Sequence, residues 1–423
     1  MTLFVGDNNS GKSYLLSLLW GIHNLENNQW LSMEEGLRTE ELEALKSWMH
    51  EQLLMVREKK IHEVAIGEAA DLLEAVLNQI LAKEKDHIVK WIFNSTDISI
   101  GQMEIVFQDV KEQVLKFKYE QKYSSLSISL DLQGIAISSG AEELFSDSGQ
   151  IIWPLLVAVY RAILDSPIES VNGDMYLPSA RTGFMLTKDI VNKYSRQEMF
   201  NLFGKKEPVA PFTRPVNQFL DILGDLSGNS DIQSSYRKIA EIMEQEMAGG
   251  RVEINTLTGK EVLYIPAGND KSMPLRMVSA VVTELSPFML IMKYKQQINR
   301  FYYEEPEMCL HPQLQQKMGK ILCRTIGMGI DIAMTTHSDI ILQYINNMIR
   351  LNNHEDRVQL CEELGYQQCD LVSDDKVKVY QLKTKGGKTD VENLPCGKNG
   401  FAVPTFNDSL EKFLEETYEI QGE

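Results

Sequence analysis

Residues Gly6-Asp7-Asn8-Asn9-Ser10-Gly11-Lys12-Ser13 match the pattern G-x-x-x-x-G-K-[ST] at every fixed position. The pattern restricts the fold, because it works only between a buried strand and a helix N-terminus, where backbone N–H groups converge on phosphate. Both flanks supply that context. Thr2-Leu3-Phe4-Val5 reads as a short buried strand and Tyr14-Leu15-Leu16-Ser17-Leu18-Leu19-Trp20 as the helix. Gly6, Asn9, Ser10, Gly11, Lys12, Ser13 and Tyr14 are therefore the candidate nucleotide-binding residues. Lys12 is expected to reach the β- and γ-phosphates, and the Ser13 hydroxyl to ligate Mg²⁺.

A chain of 423 residues allows two or three domains, and its 43% hydrophobic and 24% charged content is that of a soluble globular protein. Its apolar runs fall short of the roughly 18 to 20 residues of a membrane span, and the phosphate loop follows Met1 too closely for a signal peptide. A cytoplasmic location with no membrane association is expected. Cys309, Cys323, Cys361, Cys369 and Cys396 are odd in number and contain no C-x-x-C, so they read as reduced thiols. The net charge of −18 opposes non-specific attraction to nucleic acid or anionic lipid without excluding DNA. Lys111, Lys116, Lys118 and Lys122 alternate with acids and apolar residues and read as a solvated face.

Two amphipathic helical patterns follow the loop helix and a polar stretch, Asn24 to Glu35. Leu42, Leu45, Met49, Leu53 and Val56 share one face, and Val64, Leu72, Val76, Ile80 and Leu81 another. From Ile98 the period changes to two, most clearly over Leu126 to Leu132, which predicts an antiparallel sheet with one wet face. A helix is expected from about Ala141 to Leu164. Met175-Tyr176-Leu177 reads as a strand delivering Pro178 to Gly183 to a loop, and residues 184–250 as mostly helical with a break at Gly224 to Ser230. Arg251 to Asn255 and Glu261 to Ile265 read as a hairpin around Thr258-Gly259.

A phosphate loop needs an acidic strand end for the Mg²⁺ shell and a group that orients the attacking water. Phe301-Tyr302-Tyr303-Glu304-Glu305-Pro306-Glu307 offers both: a buried aromatic strand with carboxylates at its C-terminal end, where ligands bind in open α/β sheets. Glu304 is assigned to the metal shell and Glu305 to the water. A helix from about Gln313 to Ile326 then leads to a second buried strand, Ile330 to Thr335, which ends in Thr336-His337-Ser338. A parallel strand, helix, strand unit would put His337 beside Glu305, as a γ-phosphate sensor. Arg181, in a short polar loop after a strand, reads as an arginine finger or as a salt-bridge partner.

The phosphate loop, Glu304-Glu305-Pro306-Glu307, Leu310-His311-Pro312 and Thr335-Thr336-His337-Ser338 together resemble the ABC-type, AAA-family ATPases of the SMC, RecF and OLD-nuclease kind. With Leu177 to Gly183 and Met277 to Leu285, they look like the bacterial ATPases found in anti-phage defence and toxin-antitoxin loci. The resemblance implies an α/β fold of the P-loop NTPase, ABC-ATPase head type: a central, mostly parallel sheet with an antiparallel β subdomain and a helical insertion. On that scheme residues 1–30 and 172–350 form the ATPase core, 31–171 the inserted helical lobe and antiparallel region, and 351–423 a C-terminal α/β extension. It further implies ATP and Mg²⁺ as cofactors and a homodimer or higher homo-oligomer, in which a signature serine contacts nucleotide held by the partner subunit. Ser279 is the candidate for that role, although Ala280 stands where the family commonly has glycine, and an ordinary helix N-cap is the alternative. The family's hairpins before the phosphate-loop strand have no counterpart here, which is expected either of a start assigned too far downstream, the favoured reading, or of a sheet that has lost an edge, and Cys309 replaces a common histidine.

Gly386-Gly387-Lys388-Thr389 lacks the first glycine of a second phosphate loop and reads as a polar turn. Asp370, Asp374 and Asp375 read as solvated loop acids, Val377 to Leu382 as an edge strand and Leu410 to Tyr418 as a terminal helix. With no nuclease constellation in this region, any destructive chemistry is expected to belong to a separate effector protein, a nuclease or a toxin. The leading expectation is an ATPase whose nucleotide-dependent dimerisation gates that effector. The alternatives are a DNA-repair ATPase that clamps DNA directly and a non-hydrolysing scaffold.

Overall fold

The computed structural model describes all residues except 25–36, 38, 68, 108–111, 121–124, 131–132, 138–148, 164–172, 188–211, 227–233, 256–260, 270 and 422–423. The chain opens with β1 (Thr2–Gly6) and α1 (Lys12–His23), then runs through α2 (Glu40–Lys59), β2 (Ile61–Ala65), α3 (Ala69–Phe93), β3 (Val114–Glu120), β4 (Ser125–Leu130), β5 (Gln133–Ile137) and α4 (Gly149–Ile163). There follow β6 (Asp174–Leu177), α5 (Arg214–Asp225), α6 (Arg237–Met243), β7 (Gly250–Asn255), β8 (Glu261–Pro266), β9 (Met273–Pro274), α7 (Ala280–Tyr294) and β10 (Arg300–Glu304). The remainder is α8 (Pro312–Gly327), β11 (Asp331–Thr335), α9 (Asp339–Asn352), α10 (Arg357–Leu364), β12 (Lys378–Lys385), β13 (Lys388–Leu394) and α11 (Pro404–Gln421). Two compact units result, Met1–Trp20 with Asn172–Glu423, and Gly21–Val171.

The first unit is built on a six-stranded sheet of order β13-β12-β1-β11-β10-β6. All neighbouring pairs are parallel except the hairpin of β12 and β13. β1, β10 and β11 are buried at every position after the first, as strands covered on both faces require. Helix α7 covers one face by placing Phe288 4.9 Å from the Phe301 ring and 5.6 Å from that of Tyr303. An antiparallel sheet of β7, β8 and β9 belongs to the same unit. The mixed α/β class, mostly parallel at its centre with antiparallel sheets beside it, is the one expected from the sequence.

Two C-terminal expectations are corrected. β12 pairs with β1 over its first five residues and with β13 on its other side, so it is interior; the edge strand is β13, whose charged residues suit that place. Gly386 and Gly387, at φ +59 and +77, make the tight turn between them. Asp370 is fully buried: Arg324 of α8 donates Nε to Oδ1 and Nη2 to Oδ2, the latter at 3.2 Å, and the Gln367 N–H bonds Oδ2 at 2.8 Å. Asp375 does stay exposed.

In the second unit, Thr39 caps α2 by accepting from the Leu42 N–H at 3.3 Å, glutamates occupy the first turn, and Arg57 and Lys59 the last. The five apolar positions on one face of α2 are its buried ones. Val64 is not on the following helix. It lies in β2, paired with Leu115, and α3 begins only at Ala69. The antiparallel sheet is β2-β3-β4-β5, and residues 98–107, between α3 and β3, form no strand. Lys116 and Lys118 point to its wet face, ion-paired with Glu63 and Glu120. Lys111, Lys122, the hairpin turn at Thr258-Gly259 and residues 141–148 of the expected long helix lie outside the described residues.

Candidate active site

Parallel pairing puts the C-terminal ends of β1, β10, β11 and β6 along one edge of the sheet, so Gly6, Glu304, Thr335 and Leu177 end their strands together. The loop after β1 turns through Gly6 at φ +142, Asn9 at +60 and Gly11 at +91. At Gly6 a side chain is excluded twice, by that backbone angle and by the Leu382 carbonyl 2.3 Å from where a Cβ would stand. Among the described residues nothing lies within 4 Å of where a Gly11 Cβ would stand, so the loop is not packed against the core at that point. Lys12, nearly buried, donates to the carbonyls of Gly6 at 2.9 Å and Asp7 at 2.6 Å and to Ser10 Oγ at 3.4 Å. Ser13 and Tyr14 are exposed at the start of α1.

Glu304 is buried with both oxygens engaged: Tyr176 of β6 donates its hydroxyl to Oε1, and the Ser179 N–H donates to Oε2 at 2.9 Å. The Tyr176 hydroxyl also lies 3.0 Å from Ser17 Oγ on α1, linking the acidic turn to the loop helix. Burial and the neighbouring Glu304 hold the Tyr176 hydroxyl well above its ordinary pKa, so it remains a donor. Glu305 is half-buried, its N–H bonded to the Thr335 carbonyl at 3.0 Å and its backbone in the left-handed region at φ +43. Among the described residues no three His, Cys, Asp or Glu side chains could hold a metal ion together. Magnesium needs less, since it binds through one or two carboxylates plus phosphate oxygens and water. The glycine-bearing loop, Lys12, Ser13 and Glu304 together fit a magnesium nucleotide.

His337 follows β11, and sequence reading missed what fixes it. Glu307 accepts from the His337 N–H at 2.5 Å and from the Thr336 hydroxyl at 2.9 Å. Gln315 of α8 accepts from the Ser338 hydroxyl at 2.7 Å while donating to the Leu310 carbonyl at 2.9 Å. The acid three residues after Glu304 was the visible signal for Glu307; Gln315 carried none. Burial first, and then the charge of Lys12, lower the His337 pKa, with Glu305 and Asp7 opposing. The imidazole is thereby neutral at pH 7. Burial raises the Glu307 pKa, and Glu305 adds to it.

These two shifts have opposite signs in linkage. His337, lowered when folded, takes up its proton first in the unfolded chain, so its contribution is lost as pH falls below the ordinary value of 6.5. Glu307, raised when folded, costs stability above its raised value and relieves that cost as pH falls through it. His62, also lowered by burial, acts in the same sense as pH falls below 6.5, so His337→Gln is expected to lessen, not abolish, the fall in thermal midpoint that the wild type shows there. Equal slopes for both proteins would refute the assignment.

Arg181 is not an arginine finger. It begins a helical turn at 181–187, its side chain is fully buried, and its guanidinium binds the Glu284 carboxylate at 2.8 Å and the carbonyls of Pro178, Glu304 and Glu305. Both terminal nitrogens of the fork are taken by these acceptors, while the buried Nε has no hydrogen-bond partner among the described residues. Ser279 caps α7, accepting from the Val282 N–H at 3.5 Å, and is exposed beside Met277. Its hydrogen bonds among the described residues are to Val282 and Thr283 of α7 itself.

Solved structures to which the chain is similar include an SMC head domain from Thermotoga maritima, at 10% identity, covering 93% of this chain and 90% of that one with a TM-score of 0.30. Another is an Smc head domain with an extended coiled coil, bound to the C-terminal domain of ScpA derived from Pyrococcus furiosus, at 12% identity, 99% and 93% coverage and a TM-score of 0.31. No curated protein matches the sequence. The family described as AAA ATPase domain matches residues 1–342. The chain belongs to the AAA ATPase domain family and is an ATP-binding, ATP-hydrolysing enzyme.

Proposed function

We propose that this ATPase is a nucleotide-driven switch that assembles on ATP and gates a separate effector protein, a nuclease or a toxin, in anti-phage defence or a toxin-antitoxin pair. Gly6, Asn9, Ser10, Gly11, Lys12, Ser13 and Tyr14 bind the nucleotide, and Ser13 and Glu304 hold its Mg²⁺. Glu305 orients the attacking water as general base, and His337 senses the γ-phosphate. Ser279, exposed ahead of α7, completes the site of a second copy. The observation that supports this reading is geometric: β1, β11 and β10 are neighbouring parallel strands, so the phosphate loop, the acidic turn and His337 follow strand ends on one edge of the sheet. The net charge of −18 weighs against direct clamping of DNA.

The test is the light-scattering mass of Glu305→Gln protein with and without Mg-ATP. A rise from 48.2 kDa to twice that value on ATP addition is expected. A mass that stays at the monomer value would overturn the assembly mechanism.

A further inference from the structure

A buried ion pair gains little over an apolar pair of the same volume, so the fully buried Arg181 calls for a reason beyond stability. Its guanidinium faces four acceptors: the Glu284 carboxylate at 2.8 Å and the carbonyls of Pro178 at 2.8 Å, Glu304 at 2.6 Å and Glu305 at 3.0 Å. The Tyr303 ring lies against it, 4.8 Å from centroid to guanidinium carbon. The carbonyls of Glu304 and Glu305 bracket the Glu305 Cα, which stands at φ +43. A residue with a Cβ keeps that conformation only where its surroundings impose it.

The other end of the pair leads to a different element. Glu284 lies in the second turn of α7, five residues beyond Ser279. Its Oε2 accepts from the Thr182 N–H at 2.8 Å and from the Thr182 hydroxyl at 2.7 Å, so the start of the 181–187 helical turn is bolted to α7. A shift of α7 would therefore be felt at the Glu305 backbone through one rigid planar group. Lysine, a point charge without the fork, could not hold the carboxylate and both carbonyls together.

We propose that Arg181 is a positioning residue for hydrolysis: through Glu284 it ties the placement of α7 to the backbone of Glu305, so that seating of the Met277–Ser279 segment on a second copy of the chain aims the Glu305 carboxylate. This rests on the roles given above to Glu305 and Ser279. The test compares steady-state hydrolysis, nucleotide affinity and thermal midpoint for the full-length wild type, Arg181→Lys and the charge-free double variant Arg181→Met with Glu284→Gln. Both variants are expected to bind a fluorescent ATP analogue as the wild type does and to keep KM, while kcat falls by about 10²-fold, the usual effect of a misplaced catalytic group. Wild-type kcat in either folded variant overturns the proposal, and so does loss of the fold in both, which would make the pair structural. A wild type that releases no phosphate overturns instead the reading of Glu305.

Discussion

Replacing Glu305 by glutamine is expected to slow phosphate release by about 10²- to 10⁴-fold, the usual contribution of a positioned general base. The exchange keeps the size of the side chain and leaves untouched the backbone bonds that fix the residue, the Glu305 N–H to the Thr335 carbonyl and the Glu305 carbonyl to Arg181. What disappears is the negative charge and the ability to accept a proton. Nucleotide affinity should hold or rise, because Lys12 keeps its place in the loop and loses a competing carboxylate: Glu305 is the strongest of the acids that oppose the burial-driven lowering of the Lys12 pKa. The measurement is kcat by phosphate release beside Kd by nucleotide titration. An unchanged kcat would move the base elsewhere, first to Glu307, which sits on the same turn and acts through His337 and Thr336.

The largest expected loss of stability comes from a residue far from that chemistry. Asp370→Ala should destabilise the chain by about 3–5 kcal/mol, because it strips a buried arginine of its only carboxylate partner among the described interactions. Arg324 would keep its charge with no acceptor in place of Oδ1 and Oδ2, and the Gln367 N–H would lose its bond as well. Urea denaturation of this variant beside Asp375→Ala makes the comparison. Asp375 is exposed, and its removal should leave the midpoint in place. A midpoint for Asp370→Ala equal to that of the wild type would show that the pair contributes no net stability.

The two aspartates mark the boundary between what could be read and what could not. Five residues apart in one polar stretch, they look alike in sequence. Only the arrival of Arg324 from α8 separates them, and that partner lies 46 positions away. The same holds for Arg181 and Glu284, and for Val64, whose apolar spacing suits the helix beyond it although its partner Leu115 draws it into a strand.

The sequence by itself determined the phosphate loop, the acidic end of β10 and the β11 terminus with His337, because each is a local pattern whose chemistry and secondary structure follow from neighbouring residues. It also determined the parallel strand, helix, strand unit of β10, α8 and β11, while the mostly parallel sheet as a whole was legible only through the family resemblance. The tertiary structure alone decided that β12 is interior, that Tyr176 and Ser179 hold Glu304, that Glu307 pins His337, and that Arg181 faces inward. Each of those depends on the distance between side chains far apart in the chain, a quantity that spacing and composition do not encode.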